Sequence, residues 1–186
     1  MHIFIRHPPL PTMQGRCYGR TDTDLPASAL AAAASDLHPQ LPHWPIVSSP
    51  LLRCIGLAHA LVSLDRASPT GLGVGHGAHA ASTRSLHIDA RLVELDFGRW
   101  EDRPWSAIPR ADLDAWAGDV TGFRPPDGES FDDVIARVRD AVHALATPHI
   151  VVTHAGVIRA AMHLVRGDTP ATAAAIEIPY VSVIRP

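Results

Sequence analysis

The sequence predicts an α/β fold, with a mostly parallel sheet and helices packed against it. Three observations carry this. Short apolar runs alternate with longer stretches of helical spacing along most of the chain. The runs Ile3-Phe4-Ile5 and Ile150-Val151-Val152 have the make-up of buried strands. Several runs end in polar side chains: Arg6-His7 after Ile5, Ser48-Ser49 after Val47, and Thr153-His154 after Val152. In open α/β sheets the ligand sits beyond the carboxyl ends of the strands, so these residues are the first candidates for a site.

The elements follow in order. Residues 2–5 form the first strand, stopped by a cation, an imidazole and the rigid pair Pro8-Pro9. Residues 27–41 have helical composition, and Pro39 should end that helix near Leu37 or His38. Ile46-Val47 is a short strand, followed by a helix over 51–64. Residues 65–85, rich in Gly, Ala, Ser and His, read as a flexible insertion or lid, with a disordered surface loop as the competing reading. Its His76 and His79 have no acidic or cysteine partner at ligand spacing. Residues 130–146 give the clearest helix. Ser130 can cap it, Asp132 and Asp133 suit its positive end, and Phe131, Val134, Ile135, Val138, Val142 and Leu145 form one stripe. A strand over 149–153, a helix over 155–166 and a last strand over 181–184 complete the pattern.

A chain of 186 residues is most simply one domain able to bury a real core. A net charge of -3 argues against a nucleic-acid partner or a polybasic membrane surface. No apolar stretch reaches the roughly 20 residues that span a bilayer, and no signal peptide is legible before the first strand. The two cysteines, Cys17 and Cys54, make no CxxC pair or disulfide framework, which fits a cytoplasmic location. Monomer and homodimer are both open.

The polar strand ends define a chemistry. Arg6 and Arg53 offer permanently charged forks that suit phosphate oxygens. His7 and His154 are the candidates for a nucleophile or an acid–base group near neutral pH. A helix start at Leu51–Arg53 could add backbone N–H groups. Walker-type glycine loops, GxSxG, HExxH and calcium loops are all missing. The group handled is therefore expected to be a phosphate, with no obvious metal to help.

Six segments, in order, resemble the histidine phosphatase superfamily, also called phosphoglycerate-mutase-like. Arg6-His7 is similar to its R-H motif. Gly15–Asp22 resembles G-x-x-x-G-R-x-D, and Ser48–Cys54 resembles S-S-P-L-x-R-A/C. Leu92–Glu101 resembles L-x-E-x-x-F-G-x-W-E, Asp127–Ser130 resembles P-G-G-E-S, and Val152–Arg159 resembles V-T-H-x-G-x-I-R. The resemblance implies a three-layer α/β/α sandwich and a phosphomonoesterase using no cofactor and no metal. It implies that His7 is a nucleophile forming phosphohistidine, neutral at the attacking nitrogen, with its other nitrogen bonded to a backbone carbonyl. Arg6, Arg53 and His154 would hold the phosphoryl oxygens, with His154 protonated beside the dianion. Glu94 would be the general acid and then the base, with Asp96 and Glu101 as its rivals. Arg16 and Arg20 either line the substrate entrance or are loop charges, anchored through Asp22 or solvated. Trp100 and Trp105 either stack on a substrate or fill the core.

The chain departs from the family's R-H-G-E-T, since Pro8-Pro9-Leu10 follow His7 and Met13 stands about where an Asn is usual. Proline offers no N–H, so some phosphate contacts of the typical member are either missing here or supplied by Arg16 or Thr12. The R-H-P start and Cys17–Asp22 pull the chain toward α-ribazole-phosphatase-like members. A phosphatase is expected, with a phosphoglycerate mutase or a non-catalytic phosphate binder as the alternatives.

Overall fold

The computed structural model describes residues 2–67 and 84–186. Five strands form one sheet in the order β3-β2-β4-β1-β5. They are β1 (Ile3–Arg6), β2 (Ile46–Ser48), β3 (Leu86–Ile88), β4 (Ile150–Thr153) and β5 (Val183–Ile184). The first four run parallel, and β5 pairs antiparallel with β1 at one edge.

Side chains alternate along each strand, and each face has its own helices. Ile3, Ile5, Ile46, Ile150 and Val152 point to one side. There they meet Leu30, Ala34 and Leu37 of α1 (Ala27–Leu37) and Leu57 and Leu61 of α2 (Leu52–Ala67). A short helix, α3 (Arg110–Gly118), follows much later in the chain. Phe4, Val47 and Val151 point to the other side of the sheet. They pack against Val134 and Val138 of α4 (Phe131–His143) and Val157 and Ile158 of α5 (Ala155–Arg166). The result is a three-layer α/β/α sandwich. Among the described residues no helix is long and apolar enough to cross a membrane.

Each helix has local reasons for its bounds. Helix α1 ends at Leu37 and tightens into a 3-10 turn over His38–Gln40, where Pro39 stands. Helix α4 opens with a capping box in which Ser130 and Asp133 exchange side-chain and backbone bonds. Helix α5 stops at Gly167, which takes the left-handed conformation at φ 74°.

Three elements are absent from the sequence reading: β3, α3 and α6 (Pro170–Ala174). Strand β5 is shorter than the expected 181–184, because Val181 turns into the left-handed region at φ 51°. At both ends of the stretch 65–85, read from sequence as an insertion, the residues belong to the folded structure. Asp65 belongs to α2, and Arg84 is buried and bonded to it at 2.8 Å. The rest of that stretch, His76 and His79 included, lies outside the described residues.

Candidate active site

The sheet order brings the site together. Strands β2, β4 and β1 are neighbours in one parallel block, so their carboxyl ends meet at one edge. Arg6 is level with Thr153, and Ser48 with Val152. One residue further on stand His7, Ser49 and His154. The His7 N–H donates to the Thr153 carbonyl and the Ser49 N–H to the Val152 carbonyl, which fixes this register.

His7 is 2% exposed. Its Nδ1 donates to the Pro8 carbonyl at 2.7 Å. Its Nε2 accepts from Arg53 Nε at 3.3 Å and is thus the unprotonated nitrogen. Burial, then the Arg53 and Arg6 charges, pull its pKa down to about 3 against a weaker opposing pull from the Pro8 carbonyl. The ring is therefore neutral at physiological pH, with a lone pair at Nε2. Pro8, lacking an N–H, still supplies the carbonyl that sets this tautomer.

Arg53 is wholly buried at the first turn of α2. Its Nη1 donates to the Thr21 carbonyl at 2.8 Å and its Nη2 to the Gly19 carbonyl at 2.5 Å. Residues 19–21 are held in turn by the Glu101 carboxylate, which accepts from the N–H groups of Gly19, Arg20 and Thr21. Gly19 is required there, because a Cβ would lie 1.8 Å from the Leu95 carbonyl. Burial of Glu101 disfavours its charge, but the bonds from Thr21, Gly19, Arg20 and Phe97 outweigh it and hold the pKa below the usual value. Of the N–H groups expected at the start of α2, two are engaged, Leu51 N facing the Ser49 hydroxyl at 3.4 Å. Leu52 N donates to the Asp22 carboxylate at 2.9 Å.

Arg6 Nη1 donates to the Ile178 carbonyl at 2.5 Å, and the guanidinium lies 3.6 Å from the centre of the Tyr180 ring. Its Nε is buried with no hydrogen-bond partner among the described residues. An unpaired buried donor is costly. Tyr180 also meets the His7 ring at 5.7 Å, and its hydroxyl pairs with Tyr18 at 2.9 Å. Burial, the Tyr180 bond and its proximity raise the Tyr18 pKa, against the Arg6 and Arg53 charges.

His154 lies 5.1 Å from His7, ring to ring, and its Nε2 bonds the Ser49 hydroxyl at 2.8 Å. Complete burial, then the neighbouring His7, Arg53, Arg137 and Arg6, lower its pKa well below the ordinary value. In the phosphate-free protein it is neutral, and the expected cation requires the dianion beside it. The Cys54 thiol is 3.5 Å from His154. Burial raises that thiol's pKa, so it stays protonated despite an adjacent base.

Glu94 accepts from Gly156 N at 3.1 Å and from Leu95 N at 3.0 Å. The backbone behind it is pinned by Arg137 of α4, which donates to the carbonyls of Arg91, Val93 and Glu94 and pairs with Glu129 at 2.8 Å. The rivals of Glu94 are engaged elsewhere. Asp96 caps Gly98 N at 2.8 Å, and Glu101 is committed to the 19–21 loop.

Arg6, His7, Arg53 and Glu94 line one cavity of about 510 Å³. Arg16 lines it too, neutralised by Asp102 at 2.6 Å. Arg20 does not; it faces Asp96 and Glu129 at 3.5 and 3.6 Å. Trp105 borders the cavity, whereas Trp100 is fully buried beneath it. Met13 is buried in the core. Tyr18, Trp116, Arg159 and Tyr180 also line it, and the sequence reading gives none of them a role. Tyr18 and Arg159 lie within segments that resemble family motifs, whereas Trp116 and Tyr180 do not. No group of three or more His, Cys, Asp or Glu among the described residues is placed to hold a metal ion.

The model of the histidine phosphatase superfamily (branch 1) matches residues 2–185. The chain belongs to this superfamily. Among solved structures, TTHB049 from Thermus thermophilus superposes with a TM-score of 0.70 at 27% identity, covering 97% of this chain and 89% of that one. A phosphoglycerate mutase from the same organism gives 0.69 at 28% identity over the same shares. The mycobacterial glucosyl-3-phosphoglycerate phosphatase Rv2419c gives 0.73 at 26% identity, over 95% of this chain and 84% of that one. The Bifunctional protein Rv2228c of Mycobacterium tuberculosis is 46% identical over 55 residues, which is 28% of this chain. The match spans 15% of that protein's length.

Proposed function

We propose that this superfamily member is a metal-independent phosphomonoesterase that works through a phosphohistidine on His7. The observation that carries the reading is the unprotonated Nε2 of a buried, neutral His7, held by the Pro8 carbonyl and flanked by Arg53 and Arg6. The Nε2 lone pair attacks phosphorus, and the bond to the leaving oxygen breaks. Glu94, in its protonated form, gives its proton to that oxygen. Arg6, Arg53 and the His154 imidazolium, charged beside the dianion, balance the phosphoryl charge. The Glu94 carboxylate then takes a proton from water, whose oxygen attacks phosphorus and frees His7. Charge stabilisation by arginines is what makes a metal unnecessary.

α-Ribazole 5′-phosphate leads the candidate substrates, on the strength of the R-H-P start and Cys17-Tyr18-Gly19-Arg20-Thr21-Asp22. The second reading, phosphoryl transfer as in a mutase, is favoured by the likeness to a solved phosphoglycerate mutase. Free, buried Cys17 and Cys54 agree with a cytoplasmic setting.

Phosphate release from p-nitrophenyl phosphate in EDTA, with wild type and His7→Ala side by side, tests this. Metal-free turnover lost in the variant supports the reading. Turnover kept by His7→Ala, or abolished by EDTA, overturns it. A wild type that binds phosphate without turnover supports a non-catalytic binder. Exchange of label between phosphoglycerates without net phosphate release supports the mutase.

A further inference from the structure

The cavity is built differently at its two ends. Arg6, Arg53 and His7 form the phosphoryl end. The other wall is aromatic. Trp105 and Trp116 stack with an angle of 4° between their planes and centroids 5.8 Å apart. Phe97 meets both edge-on, each at 6.0 Å. All three line the cavity and none is fully buried. They pack on Cys17, Trp100 and Ile108, which are buried, so the wall has its own small core behind it.

The two further arginines of the lining, Arg16 and Arg159, are each already engaged in part. Arg16 is paired with Asp102. Arg159 spends its Nε on the Ile176 carbonyl at 2.8 Å, and burial, opposed by the Glu94 carboxylate, lowers its pKa from the ordinary value. The volume of about 510 Å³ exceeds what a phosphoryl group and a three-carbon acid would fill, and falls within the roughly 300–1,000 Å³ of sites for larger organic ligands. Partly exposed rings gain by being covered with a flat apolar surface.

We propose that the site selects phosphomonoesters whose leaving group carries a flat, apolar ring system, seated against the Trp105–Trp116–Phe97 wall. This rests on the phosphatase reading of His7. The wall makes Trp105 and Trp116 specificity-determining residues, and it disfavours phosphoglycerate as the substrate.

Benzyl phosphate and glycerol 2-phosphate both release an alcohol oxygen, so they differ chiefly in the ring. Their KM ratio in wild type, Trp116→Ala and Trp105→Ala isolates the wall. Wild type should favour benzyl phosphate, and each substitution should shift the ratio by about tenfold, the size of a lost aromatic contact with its buried area. An unchanged ratio in both folded variants, or a lower KM for 3-phosphoglycerate than for benzyl phosphate in wild type, overturns the proposal. Titration with benzylphosphonate, which cannot be hydrolysed, reads the wall without turnover. Quenching of tryptophan fluorescence with a lower Kd than for 3-phosphoglycerate supports it, and the reverse order overturns it even if a variant fails to fold. Absence of any turnover, or turnover surviving His7→Ala, sinks the phosphatase reading alone.

Discussion

At the scale of single residues the site depends on close approaches that leave no room for another atom. Gly156 lets its N–H reach the Glu94 carboxylate, and a Cβ there would lie 2.3 Å from Glu94 Oε1. That oxygen ends a flexible side chain, so Gly156→Ala displaces the carboxylate and spares the fold. Thermal stability should stay level or rise slightly, since alanine suits a helix better than glycine by roughly 0.5–1 kcal/mol. Turnover of an alkyl phosphate should fall about 100-fold, the lower range for losing a positioned acid–base group. p-Nitrophenyl phosphate, whose leaving group needs little protonation, should lose far less. Equal losses on both substrates would remove Glu94 from the proton-transfer role. Residues of this kind differ in legibility. His7 and His154 stand out as polar groups ending apolar runs, and Arg53 as a cation at the start of the helix that follows one. Tyr180 does not, since it reaches Arg6 only through the turn at Val181, whose N–H bonds the Arg6 carbonyl at 3.1 Å.

Among elements, the helices do more than cover the sheet. Helix α4 is legible from its apolar stripe, yet its polar side carries Arg137, which ties three carbonyls of the 91–94 segment and so places Glu94. Such long-range bonds leave no periodic trace. Strand β3 escapes a sequence reading because it is three residues long and its burial pattern is half-buried then exposed. Helix α3 escapes it because none of its residues is buried, so no stripe forms. Arg137→Lys keeps the charge but cannot fork to several carbonyls at once. The expected outcome is a drop in kcat with KM changed much less, as the phosphoryl end is untouched. Arg137→Gln should add a stability loss of about 1.5–3 kcal/mol, the range for a hydrogen bond to a charged group. Urea unfolding and steady-state kinetics on the two variants separate the roles. A change confined to KM would argue against Arg137 as a positioning residue.

For the whole molecule, two neutral histidines buried side by side link folding to pH. His7 has its pKa lowered to about 3, and that of His154 lies well below the ordinary 6.5. The unfolded chain protonates both near 6.5, whereas the folded chain resists. Between about pH 6.5 and 3 the unfolded state thus binds more protons, and stability falls as pH falls. The slope approaches about 1.4 kcal/mol per pH unit for each histidine, because one proton is taken up on unfolding at each. The same burial that readies His7 Nε2 for attack therefore makes the empty protein acid-sensitive. On the proposed mechanism a phosphoryl dianion beside His7 opposes this preference, since it favours the His154 cation. The melting temperature should fall steadily from pH 7 to pH 5 in phosphate-free buffer, and less steeply in saturating inorganic phosphate. His154→Asn should flatten the phosphate-free slope by up to one proton. A melting temperature independent of pH over this range, or one with the same slope in phosphate, would mean that the two rings are not the linked groups.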